Sequence, residues 1–505
     1  MLRKIRLYAA IVFFALVTLL FLDFTGTIHA WFGWMAKVQF IPAVLSLNVV
    51  AIVVLVALTL LFGRVYCSVI CPLGVLQDVI AWFGKRKKRL PYAYSKALSW
   101  LRYGFLVIFI AAFIAGLAPI AALLDPYASF GRIANSFFQP VYEWGNNLLA
   151  YIAQRVDSYA FYSVDVWFKG LPAMVTAAVV LVLVFVLAWR NGRTYCNTVC
   201  PVGTVLGFLS KYSLFRMEIQ EDKCIKCGLC ARKCKASCID AKNHSIDHSR
   251  CVACMDCIGS CSHHAISYTR RHKTVNKEDL QPKVADSGRR SFITATAVVA
   301  ATGLIKAQEK KVDGGLAVIE DKKVPERATR ITPPGSLSLS NFTRHCTACQ
   351  LCVSACPNQV LRPSGNIMTL MQPEMSYERG YCRPECNRCS QVCPAGAIRP
   401  ITKEEKSSVQ IGHAVWVRKN CVVETDGVSC GNCAAIARRE QYKWSRLTAK
   451  TLSRSKFRLS TRSVVLVAEL VRIYVRRVRS VQSMLRDTKC TVLFNLKCLL
   501  RWKKI

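Results

Sequence analysis

The chain has 505 residues, a formal net charge of +39 and 26 cysteines. Its length allows two to four domains, and cysteines grouped in short regular runs along so long a chain exclude the small secreted disulfide scaffold and point to metal loaded in a reducing compartment. The charge would suit nucleic acid, but residues 435–505 hold 19 Lys and Arg against 3 Asp and Glu, and much of the rest flanks apolar stretches, as at Lys85, Arg86, Lys87, Lys88 and Arg89; no nucleic-acid partner is expected.

Four apolar stretches, about 5–24, 41–62, 103–124 and 171–189, each reach the roughly 20 residues that a helix needs to cross a bilayer core. Basic residues mark one side of them. Arg3, Lys4 and Arg6 precede the first, the 85–89 cluster follows the second, and Arg190, Arg193, Lys211 and Arg216 follow the fourth, whereas the loops 23–40 and 125–170 hold few. The positive-inside rule then places both ends of a four-span α-helical membrane bundle, residues 1–216, in the cytoplasm. The expected setting is the lipid of a bacterial inner membrane, crossed several times.

The bundle contains a repeat. Gly63-Arg64-Val65-Tyr66-Cys67-x3-Cys71-Pro72-Leu73-Gly74 matches Gly192-Arg193-Thr194-Tyr195-Cys196-x3-Cys200-Pro201-Val202-Gly203. Two such C-x3-C-P elbows at the ends of duplicated spans bring four thiols, Cys67, Cys71, Cys196 and Cys200, which is the ligand number of one iron–sulfur cluster. Two separate dithiols, or idle cysteines, remain the alternatives.

Residues 217–272 form the first of two small α+β, bacterial-ferredoxin-like 2[4Fe–4S] modules. Cys224, Cys227, Cys230 and Cys234 read C-x2-C-x2-C-x3-C, and Cys251, Cys254, Cys257 and Cys261 repeat that register. In this spacing three thiolates grip one cubane while the fourth reaches across to another. One cluster is expected on Cys224, Cys227, Cys230 and Cys261, the other on Cys251, Cys254, Cys257 and Cys234, with Cys238 as a rival for the place of Cys234. Residues 273–339 read as a linker. Within it Arg289-Arg290-Ser291-Phe292-Ile293 and the mild apolar run to Ile305 have the form of an internal twin-arginine export signal, or else of an ordinary linker helix.

The second module, 340–433, carries Cys346, Cys349, Cys352 and Cys356, then Cys382, Cys386, Cys389 and Cys393 with one extra residue in the first gap. Crossed ligation joins Cys393 to the first three and Cys356 to the second three. A fifth run, Cys421-x8-Cys430-x2-Cys433, never finishes. If the codons possible for Ile436 to Trp444 are regrouped by one base they can spell Cys-Pro-Thr-Gly-Ala-Ile-Gln-Met, and Val464 to Val481 can likewise spell a sixth complete cysteine run. Residues 434–505 therefore read as an out-of-frame tail; a basic amphipathic helix on anionic lipid is the rival reading.

The first 270 residues, through the four stretches, both elbows and the run pair 224–261, resemble the membrane-bound polyferredoxin (quinol dehydrogenase) subunit of the periplasmic nitrate reductase system. From about Arg289 the chain is similar to that system's exported ferredoxin-type partner subunit, as though the two were fused. The resemblance implies electrons passing from the quinol pool through four conventional [4Fe–4S] clusters, with the elbows as the place of a fifth, to a redox partner such as a reductase or cytochrome, the second module being periplasmic. His29 is the sole histidine of the spanning region, so no haem is expected. No acid/base pair, nucleophile or phosphate loop marks a catalytic residue. An electron donor for assembly or metal reduction of another enzyme's metal centre, and a redox-sensing membrane regulator, are the other function classes that fit.

Overall fold

The computed structural model describes residues 2–271 and 330–411 apart from 24, 87–91, 159, 165, 167–168, 378–379 and 410, together with two short strands, Tyr442–Lys443 and Arg458–Leu459, that pair antiparallel. The twin-arginine-like segment at Arg289-Arg290, the unfinished run at Cys421, Cys430 and Cys433, and all of the 434–505 tail but that strand pair lie outside the described residues.

Two helices, Leu2–Leu22 and Leu171–Asn191, are long and apolar enough to cross a membrane. Each has 21 residues, about 32 Å at helical rise. Neither carries a glycine, and the one proline, Pro172, stands in the first turn, where its missing N–H costs nothing. Only 28% and 22% of their apolar windows are buried inside the protein. Outward-facing side chains such as Ile11, Val12, Val179 and Val182 are more than half exposed, a surface that water would not tolerate over such a length.

The other two expected spans are interrupted. The 41–62 stretch is a short helix, Phe40–Leu45, and a separate one, Val49–Phe62. Between them Leu47 takes a left-handed φ of 52°, and the Asn48 side chain caps the second helix by accepting from the Ala51 N–H at 3.2 Å. The 103–124 stretch divides at Gly116, φ 73°, into Ser99–Ile114 and Ala118–Leu124. None of these four pieces alone reaches bilayer length, so among the described residues two helices are long and apolar enough to span, where four spans were expected.

The two modules occupy opposite ends of the long helices. At one end Arg3 pairs with Asp256 at 2.9 Å, and Lys235 joins Asp256 at 2.9 Å and Asp78 at 3.5 Å. The Arg193 N–H just past Asn191 donates to the Lys235 carbonyl at 2.8 Å. At the other end the Asn135 amide donates to Gln350 at 2.8 Å, and Thr176, in the second turn of Leu171–Asn191, donates to Met371 Sδ at 3.2 Å. A Cβ on Gly131 would meet the Cys349 carbonyl at 2.3 Å, so only glycine admits the second module so closely.

Each module is a cysteine-rich core edged by small antiparallel ribbons. In the first, strand Phe215–Ile219 pairs with Ile266–Arg270, joining the beginning of the module to its end, and Ile239–Asp240 pairs with Ser245–Ile246. In the second, Leu361–Pro363 pairs with Pro373–Met375.

Candidate metal centres

The elbows begin at Gly63 and Gly192, with φ of 76° and 73°, a left-handed turn that lets the chain leave a helix abruptly. In each the fourth-residue cysteine folds back through the same wide turn: the Cys71 N–H donates to the Tyr66 carbonyl at 2.9 Å and the Cys200 N–H to Tyr195 at 3.0 Å. The two elbows then exchange arginines. Arg193 Nη1 donates to the Cys67 carbonyl at 2.6 Å, while Arg64 Nη2 donates to the Cys196 carbonyl at 3.2 Å and Arg64 Nη1 to Asn197 at 2.8 Å. Both guanidinium groups are fully buried. Close packing enforces the exchange, since a Cβ on Gly74 would lie 2.7 Å from Arg193 and one on Gly203 would lie 2.8 Å from Arg64.

Cys67, Cys71, Cys196 and Cys200 are therefore buried in one core. Burial pushes the Cys71 thiol up, and Cys196 and Cys67 push it further; burial and then Cys196, Cys71 and Cys67 do the same to Cys200. Each thiol thus lies within electrostatic reach of the opposite elbow. Opposing this, Cys200 Sγ accepts from the Gly203 N–H at 3.3 Å and Cys196 Sγ from Gln77 Nε2 at 3.2 Å, and Cys71 and Cys200 stand at helix N-termini, where a thiolate is favoured.

The symmetry breaks one turn further on. Asp78 receives Arg193 at 2.9 Å and Arg6 at 3.2 Å; its burial would raise the carboxyl, but Arg193, Lys235 and Arg6 hold it well below the usual carboxylate range. At the equivalent place in the second elbow stands Gly207, and Arg102 fills the space, donating to the Gly203 carbonyl at 3.2 Å and the Ser249 carbonyl at 3.1 Å. Nothing in the repeat signalled either residue.

In the modules the backbone builds the sites. Around the second cysteine of three runs the chain turns left-handed on both sides: Lys226 and Gly228, Ala253 and Met255, Ala348 and Gln350, with φ between 49° and 71°. Non-glycine residues rarely hold such angles, and alternation of this kind turns successive N–H groups into a concave nest for an anion. The Cys382 run has none of it, because the extra residue and Pro384 change the loop; there Asn387 lies at φ −118°. A cation serves instead. Lys406, buried on helix Lys403–Ser408, donates to Cys382 Sγ at 3.0 Å and to the Arg383 and Cys386 carbonyls.

The expected crossings bring residues together as follows. Cys234 acts on Cys251, Cys254 and Cys257, while Cys224 and Cys227 act on Cys230. Cys393 acts on Cys346, Cys349 and Cys352, and Cys356 lies with Cys382, Cys386 and Cys389. Cys261 has no such tie to Cys230 among the leading influences; its Sγ accepts from the Ala265 N–H at 3.3 Å. Cys238, the rival of Cys234, lies 3.5 Å from it and also hydrogen-bonds Cys251, so both thiols stand at one site. Among the described residues no group of three or more Cys, His, Asp or Glu side chains is arranged to hold a metal ion. The anion nests and the buried cations beside the cysteine runs suit an anionic cluster.

Residues 46–91 and 172–219, the two elbow segments with their helices, match the family described as a 4Fe-4S binding domain. The match falls in two separate segments, one at each elbow. It is similar to the putative electron transport protein YccM of Escherichia coli, 25% identical over 44% of this chain and 55% of that protein. It is also similar to the ferredoxin-type protein NapH of Haemophilus influenzae, 25% identical over 46% and 70%, and to the methylamine utilization ferredoxin-type protein MauM of Methylophilus methylotrophus, 30% identical over 24% and 54%. The chain thus spans about half the length of two of these three relatives. No solved structure matches. The resemblance read from the elbows and cysteine runs is sustained at the level of a ferredoxin-type, iron–sulfur electron-transport protein.

Proposed function

We propose that this protein takes electrons from quinol in a bacterial inner membrane and passes them through [4Fe–4S] clusters to a redox partner protein, combining in one chain what the nitrate reductase system divides between a membrane polyferredoxin and an exported ferredoxin-type subunit. The observation that carries this reading is the seating of two cysteine-rich modules on opposite ends of two bilayer-length helices. The basic residues Arg3, Lys4, Arg6, Arg190 and Arg193 gather at the first module's end, which favours a cytoplasmic first module and a periplasmic second one.

Cys224, Cys227, Cys230 and Cys261, and Cys251, Cys254, Cys257 and Cys234, would hold two clusters of the first module. Cys346, Cys349, Cys352 and Cys393, and Cys356, Cys382, Cys386 and Cys389, would hold two of the second, with a fifth on Cys67, Cys71, Cys196 and Cys200. Such clusters supply one-electron centres whose potentials depend on charge, hydrogen bonding and exposure. The protein's own part is to supply thiolates, offset their charge with Arg64, Arg193 and Lys406, and keep water from the buried quartets. Membrane vesicles containing the protein should lose their broad visible absorption when quinol is added, as they do with dithionite. Absorption that dithionite bleaches and quinol leaves untouched would overturn the quinol reading.

A further inference from the structure

The four cysteine runs of the two modules allow a comparison within the chain. Four residues beyond the last cysteine of each run stand Cys238, Ala265, Val360 and Ala397. All four are buried, none more than 2% exposed, and the backbone does the same at each: N–H groups just past the last cysteine turn back onto its sulfur. The Ala265 N–H donates to Cys261 Sγ at 3.3 Å and the Ile398 N–H to Cys393 Sγ at 3.5 Å, and Val360 and Cys238 give their N–H groups to Cys356 and Cys234. Cys234 therefore sits in the place of a last cysteine, and Cys238 in that of a small apolar wall residue. One run of the four puts a thiol where the others put a methyl or isopropyl group.

That thiol is aimed at two others. Cys238 Sγ lies 3.5 Å from Cys234 Sγ and also hydrogen-bonds Cys251. Cys234 acts on both Cys254 and Cys257, whereas Cys238 is not among the leading influences on either, so Cys234 completes the set and Cys238 stands behind it. A ligand thiolate has only lone pairs to offer, so of these sulfurs Cys238 carries the S–H. This set also needs a donor more than its neighbour does. Cys234 and Cys257 are buried, while Cys227 of the neighbouring set is exposed, and burial disfavours the extra negative charge of a reduced cluster. Lys235, next in sequence, gives little relief, since it is paired with Asp256 at 2.9 Å and Asp78 at 3.5 Å.

We propose that Cys238 is a positioning residue and not a ligand: it donates its S–H to the thiolates of Cys234 and Cys251 and so raises the reduction potential of the centre they share with Cys254 and Cys257. This rests on the [4Fe–4S] reading above. A hydrogen bond to a cluster sulfur favours the reduced form, because that form puts more negative charge on sulfur. The effect is to keep a buried centre reducible beside a more exposed one. The buried centre is also the one that faces the elbows: Arg64, which donates to the Cys196 carbonyl, donates as well to the Ser249 carbonyl at 3.1 Å and acts on Cys251. Its potential therefore sets how readily the first module shares electrons with the bundle.

The test uses the full cluster-loaded chain in detergent, with iron and sulfide analysis and an EPR-monitored redox titration. Cys254→Ser first identifies the signal of this centre as the one it removes. Cys238→Ala, which installs the residue found at the Ala265 and Ala397 positions, should keep the iron content and lower the reduction equilibrium constant of that signal about tenfold, about 59 mV for a one-electron couple, with the other signals nearly unmoved. Cys238→Ser, whose hydroxyl still donates, should recover about half of the shift or more. Loss of about four or more iron atoms in Cys238→Ala would overturn the proposal, and so would an unmoved potential, or a Cys238→Ser protein shifted as far as Cys238→Ala. If Cys254→Ser removes neither iron nor any signal, the cluster reading itself falls; if it removes a centre and Cys238→Ala changes nothing, this inference alone is wrong.

Discussion

The elbows and the module loops hold the same kind of ligand in opposite ways. In the modules three cysteines lie within one loop, and the left-handed residues that shape it, Ala253 and Met255 or Ala348 and Gln350, are immediate neighbours in sequence. At the elbows each half supplies two thiols and must borrow its arginine from a segment about 130 residues distant, Arg193 reaching Cys67 and Arg64 reaching Cys196. Damage to a loop should therefore remain local, and damage to an elbow should reach the whole bundle.

The largest effect should follow Arg193→Ala. It removes the donor to the Cys67 carbonyl and leaves Asp78 a buried carboxylate without its main partner, a change of about 3–5 kcal/mol when a buried pair is broken on one side. Denaturant unfolding in detergent should show that loss, and both modules should suffer with the bundle; an Arg193→Ala protein of normal stability would break the comparison. By contrast, Cys254→Ser or Cys349→Ser should each remove a single centre, lowering iron by about four atoms per chain while the other module keeps its spectrum. Iron analysis and low-temperature EPR check this, and loss of both modules from either substitution would show them to be coupled.

A smaller effect is expected at Lys406. Replacing it with Gln removes a positive charge 3.0 Å from Cys382 Sγ, which makes adding an electron harder. The reduction potential of that centre should fall by about 60–120 mV, one to two decades for a one-electron couple, in an EPR-monitored titration, with the Cys346 centre moving less. The smallest belongs to Thr402, whose side chain and that of Glu405 form the capping box of the short helix bearing Lys406. Thr402→Ala should cost about 1 kcal/mol and reproduce a fraction of the Lys406→Gln shift.

What could be read from the sequence follows the same division. The module cysteines could be picked out by spacing because each proposed site is built within one loop. The elbow repeat was equally plain, yet that its halves meet depends on Arg64 and Arg193, which looked like ordinary basic residues beside a span. Apolar runs marked all four stretches, but hydropathy passes over conformation: Asn48 within one run, and Gly116 with Pro119 close behind in another, were the available signs of a break. Lys406 had no signal, since its role depends on a fold that returns it to Cys382.

The exchanged arginines also bear on how such a chain could arise. A half-length protein with one elbow would keep a buried guanidinium and a buried cysteine carbonyl unsatisfied until a second copy supplied the complement, and its two thiols would make half a ligand set. The geometry is that of an isologous contact, each copy giving what it receives. The halves differ where that exchange does not bind them, with Asp78 in one and Gly207 at the matching place in the other.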